Sequence, residues 1–161
     1  MELTWKTEWL KASLLQYGEY DSNWERAYFD EHNGGYLVID KERIEHSKTS
    51  KNEKEKFDKE YGMSMVLAQN GYRIEMLKER SGISSSDITI NGINADLKCV
   101  SSHNNIVRDA KKAVRKQGAE IVVFEFEKET KEIYLELLKL KKEKISVYYY
   151  FSNDKTRVYE Q

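Results

Sequence analysis

Two aspartates and a lysine between positions 87 and 98 are the residues best suited to do chemistry. They sit in Ser86-Asp87-Ile88-Thr89-Ile90-Asn91-Gly92-Ile93-Asn94-Ala95-Asp96-Leu97-Lys98. Asp96 and Lys98 are two apart, so on an extended strand both side chains leave the same face. Asn91-Gly92 is a two-residue turn signal, because both types tolerate the positive φ of a tight hairpin turn. Ile88 and Ile90 alternate with polar neighbours as a half-buried strand requires. Asp87 starts that first strand at the open end of the hairpin, so only twist and local bending bring it towards Asp96 and Lys98. Carboxylates gathered beside an ammonium suit work on a phosphodiester. The plain alternative is an exposed ion pair worth under about 1 kcal/mol.

A second group of residues could bind polyanions. The segment Asn105–Gln117 reads as a helix, entered through Ser101-Ser102-His103-Asn104 and closed by Gly118. Its apolar stripe is narrow, and Arg108, Lys111, Lys112, Arg115 and Lys116 crowd the other face against Asp109 alone. Such a face is either simply solvated or a surface for phosphates. His103, in a Ser/Asn-rich turn after Lys98, is the best histidine for acid–base work. His32, His46 and His103 have no Cys or His partner at metal-ligand spacing, which points away from zinc. Cys99 alternates away from Asp96 and Lys98, so it is expected in the core.

Further elements must position these groups. Trp5, Trp9, Leu10 and Leu14 suggest a helix ending near Gly18, and a hairpin over 27–29 and 36–39 turns at Asn33-Gly34-Gly35. Asp40–Asn52 is charged and reads as a linker or exposed arm. From Glu53 to Asn70, Phe57, Tyr61, Met65 and Ala68 form a helical stripe with Glu60 at its border. A strand over 72–77 and a Gly/Ser-rich loop over 81–86 lead to the hairpin. A strongly apolar strand (121–126), an amphipathic helix (129–144), an aromatic strand (147–151) and a short terminal strand (157–159) follow. The result is a mixed α/β fold with helices packed on a central sheet, parallel across the helical crossovers. Residues 1–50 form an N-terminal extension and 51–161 the main domain.

Composition limits the functions available. The 161 residues can bury a sizeable core. A net charge of −1 excludes a uniformly basic binder but leaves room for a local basic face. A mean hydropathy of −0.79 and the lack of a long apolar run argue against a membrane span. One cysteine fits a reducing compartment, hence a cytoplasmic setting.

The element order helix-strand-strand-strand-helix-strand, with Asp87 and then Asp96-Leu97-Lys98, resembles the PD-(D/E)XK nuclease superfamily over about residues 53–126. Ser86 stands where the motif has proline, and the spacing from Asp87 to Asp96 is short. The wording from Glu60 through Gly71-Tyr72, Asn91-Gly92 and Asp96-Leu97-Lys98 to Gln117 is also similar to C-terminal toxin domains of contact-dependent inhibition proteins. It is similar, too, to nuclease-like domains of phage-head and mobile-element proteins. The resemblance implies an endonuclease acting on DNA or RNA, with Glu60 as a helix acid and Gln117 as a helix glutamine. In that case Asp87, Asp96 and Glu60 bind Mg²⁺ or Mn²⁺ and Lys98 assists the water or the phosphate. The helix cations then hold the phosphate backbone. Some toxin domains of this kind are grouped with barnase, colicin and RelE-like ribonucleases. That implies a metal-free alternative using His103, Lys98 and Ser101 or Ser102. A third reading is a non-catalytic module that docks a phage-head partner through residues 1–50; an immunity protein is the partner expected of a toxin.

Overall fold

The computed structural model describes residues 2–79 and 85–161, with side chains from residue 6. The chain divides into two compact units. The first holds residues up to Glu79 and takes back Ile88–Gly92; the second holds 85–87 and Ile93–Gln161. The boundary expected near residue 50 falls inside the first unit. Of the loop expected over 81–86, only Ser85 and Ser86 lie within the described residues.

In the first unit, α1 (Glu2–Glu19) precedes β1 (Trp24–Phe29) and β2 (Tyr36–Asp40). Then come α2 (Lys41–Ser47), α3 (Lys51–Gln69), β3 (Arg73–Met76) and β4 (Ile88–Ile90). β1 and β2 form the expected antiparallel hairpin, with a bulge between Arg26 and Tyr28. β2 runs parallel to β3, and β3 antiparallel to β4. Leu37, Leu67, Ile74, Met76 and Ile88, each fully buried, belong to its core. Gly35 is there because a Cβ would stand 1.9 Å from the Ala68 carbonyl oxygen at the end of α3.

The stretch expected to be a linker is instead α2. Asp40 caps it by accepting the Glu42 N–H at 2.9 Å, and Arg43 is buried. α3 then starts from Ser50, whose hydroxyl caps it by accepting the Glu53 N–H at 3.2 Å. Its buried face runs through Phe57, Glu60, Ser64, Leu67 and Ala68, while Tyr61 and Met65 are only partly covered. The stripe is therefore rotated from the expected one, and Glu60 lies inside it.

The second unit holds β5 (Ile93–Val100), α4 (Ile106–Gln117), β6 (Ile121–Phe126), α5 (Lys131–Lys142), β7 (Ser146–Phe151) and β8 (Asp154–Glu160). β5, β6 and β7 are parallel neighbours, as helical crossovers require, and β8 returns antiparallel. Ile106, Ala110 and Ala113 of α4 and Ile133, Leu137 and Leu140 of α5 pack on Val122, Phe124, Phe126, Val147 and Phe151. Burying each such Phe contributes about 1.5–3 kcal/mol. α4 stops at Gly118, whose φ of 71° is the left-handed cap glycine supplies. The mixed α/β class and the expected element order are both present.

Candidate active site

β5 carries the central residues. Asp96 and Lys98 pair in register with Val122 and Phe124, so both lie on the face that α4 and α5 cover. Cys99 pairs with Glu125 on the other face and is exposed, not a core residue as its alternation suggested. The two helices of the core cluster, α4 and α5, take the Val122 and Phe124 face instead.

Asp96 is fully buried, and the Lys98 ammonium stands 2.9 Å from its Oδ2. That approach lies outside hydrogen-bond geometry, so neither carboxylate oxygen of Asp96 has a directed donor. The ion pair with Lys98 offsets part of the cost of burying that carboxylate. Lys98 is 24% exposed, so its stem is held in the protein while its head reaches solvent. Asp87 is a bend residue just ahead of β4, and its Oδ2 accepts the Leu97 N–H at 3.0 Å. The first acid is thereby tied to the backbone between the second acid and the lysine.

Two further groups border β5's partners. The Ser86 hydroxyl donates to the Gln117 carbonyl at 3.2 Å, securing the last turn of α4. Gln117 Oε1 is buried and lacks a donor. On α4, Lys112, Arg115 and Lys116 are exposed and form no ion pair among the described residues. Lys111 is drawn to Glu143 at 2.9 Å, and Arg108 leans on Asp109 at 3.5 Å. His103 sits in a short 3₁₀ turn and lines a cleft of about 370 Å³ with Glu132, Leu135, Glu136, Leu138, Lys139 and Lys142. Its surroundings are thus those of α5.

Glu60 belongs to the first unit, where it meets Arg43. The Arg43 Nη2 donates to its Oε2 at 2.6 Å, with both side chains nearly closed to solvent. Burial pushes the Glu60 carboxyl up, against the pull of Arg43. Arg43 also approaches Glu79 at 3.8 Å, and Lys56 binds Glu79 at 2.6 Å. His46 Nε2 lies 3.1 Å from Glu53 and 3.0 Å from Glu79. Sequence reasoning missed this network because it took residues 40–52 for a linker. The Asp40 cap and the Ser50-x-x-Glu53 box were the signals that could have revealed two helices there.

No protein-family model matches the chain, and no curated protein matches it either. Among solved structures it is similar to a chain from the CdiA-CT/CdiI toxin and immunity complex of Burkholderia pseudomallei. The likeness has a TM-score of 0.53 at 17% identity and covers 71% of this chain and 89% of that one. At such identity what is shared is the fold.

Proposed function

We propose that the chain is a toxin-type nuclease whose second unit hydrolyses phosphodiester bonds with a divalent cation. The observation that carries this is Asp96, a fully buried carboxylate with no directed donor, 2.9 Å from Lys98 and joined through Leu97 to Asp87. Asp87 and Asp96 offer the hard oxygen ligands that Mg²⁺ or Mn²⁺ prefers. Such a cation would polarise the phosphate and acidify a bound water. Asp87 keeps its carboxylate oriented by spending one oxygen on the Leu97 amide. Lys98, partly open to solvent, neutralises charge on a phosphate oxygen. Lys112, Arg115 and Lys116 hold the nucleic-acid backbone without reading its sequence. The likeness to a chain of a toxin and immunity complex supports an immunity protein as partner.

The test is cleavage of single- and double-stranded DNA and RNA by the wild-type chain and by Asp96→Asn, with and without EDTA. Cleavage that needs magnesium and is lost in Asp96→Asn is expected. Cleavage that survives EDTA and is instead lost in His103→Ala contradicts the proposal.

A further inference from the structure

Outside the candidate active site, three side chains from three parts of the first unit bring metal-ligating atoms to one point. His46 is in the last turn of α2, Glu53 is in the first turn of α3, and Glu79 follows β3. One ligand atom from each lies within 4.8 Å of the others. His46 Nε2 is 3.1 Å from Glu53 Oε2 and 3.0 Å from Glu79 Oε2. Ligands around tetrahedral zinc, with bonds of about 2.0–2.2 Å, stand about 3.3 Å apart, so small side-chain shifts suffice.

Two observations separate this group from an ordinary surface ion-pair network. The first concerns Glu53 Oε2, which is closed to solvent and has no hydrogen-bond donor, although His46 is beside it. The second concerns Arg43, 1% exposed, whose guanidinium comes within 3.8 Å of Glu79 and whose Nη1 has no acceptor. Arg43 and Lys56 pair with Glu60 and Glu79, and Glu53 faces His46. Lys56 is 2.6 Å from Glu79 Oε1, which leaves Oε2 for His46 and a metal.

We infer that His46, Glu53 and Glu79 form a zinc site that pins α2, α3 and the segment after β3 together. The mixed nitrogen and oxygen donors suit zinc, whereas magnesium demands octahedral oxygen and gives up water reluctantly.

The experiment is calorimetric titration of the full chain with zinc chloride and, separately, with magnesium chloride. It compares wild type, Asp96→Asn, His46→Gln and Glu53→Gln, with circular dichroism recorded for each. Expected are one zinc equivalent in wild type and Asp96→Asn, a zinc-dependent rise in melting temperature, and no magnesium competition. Zinc affinity should fall more than about 100-fold in whichever of His46→Gln and Glu53→Gln folds, exceeding the loss from removing a supporting group. Absence of zinc binding overturns the inference, as does zinc binding weakened less than tenfold in the folded variants. Zinc binding lost only in Asp96→Asn assigns the metal to the other unit and overturns it as well.

Discussion

At Asp96 the protein keeps a carboxyl group where an apolar one would fold more easily. The side chain is fully buried, and the Lys98 ammonium 2.9 Å away is off hydrogen-bond geometry. Replacing it with the isosteric amide therefore relieves a buried charge, and Lys98 can turn to solvent. Asp96→Asn should change the unfolding free energy by less than about 1.5 kcal/mol in urea. Cleavage should fall on the order of 10²–10³-fold if the carboxylate acts on the reacting phosphate. A large loss of stability would instead make Asp96 a structural residue. Arg43 behaves in the opposite way. Removing it strands Glu60 in the interior, so Arg43→Ala should cost about 3–5 kcal/mol, while Arg43→Met with Glu60→Leu should recover most of that. Chemical denaturation of the single and double variants measures both.

At the scale of elements, turns and caps decide where the side chains point. Asp30 organises the turn between β1 and β2 by accepting from the His32 and Asn33 amides at 2.8 and 3.1 Å and from the Tyr28 hydroxyl. Burial alone would raise its carboxyl, but these bonds outweigh it and hold it below its ordinary 3.8. The stability it contributes is complete above pH 3.8 and is lost as pH falls through the lower folded value. Asp30→Asn should thus flatten the acid limb of melting temperature against pH and leave the neutral limb parallel to wild type. Gly35→Ala should destabilise severely, by more than about 3 kcal/mol, since the added carbon would meet the Ala68 carbonyl. α4 presents Lys112, Arg115 and Lys116 outward while Ile106, Ala110 and Ala113 face the core. Changing those three cations to Ala should weaken binding to duplex nucleic acid without altering the fold. The slope of log affinity against log salt should drop by about 0.9 for each phosphate no longer neutralised.

At the scale of the whole molecule, much of the architecture was legible in the sequence because period and punctuation agree. Asn91 and Gly92 both take positive φ, at 51° and 85°, as their turn chemistry demands, and Gly118 ends α4 where expected. The apolar 121–126 strand and the two helical crossovers also lie where composition put them. Two things escaped. Residues 40–52 look solvated because their charge is high, yet Arg43 and Glu60 neutralise each other inside the first unit. The hydrophobic stripe of α3 misleads because Glu60 and Ser64 occupy buried positions that an apolar count ignores. For the same reason His46 showed no metal-ligand spacing: its neighbours are carboxylates on other elements. Among the candidate site residues, the strand pair Asp96 and Lys98 was readable from its i, i+2 spacing. The tie from Asp87 to the Leu97 amide depends on a bend that no local pattern encodes.

The central claim is that Asp87 and Asp96 together hold a divalent cation beside Lys98. A crystal of the chain soaked in manganese, with anomalous scattering collected at the metal edge, tests it most directly. The account predicts a peak touching carboxylate oxygens of both aspartates, absent from Asp96→Asn. A manganese-soaked wild-type crystal with no peak at those oxygens would contradict it.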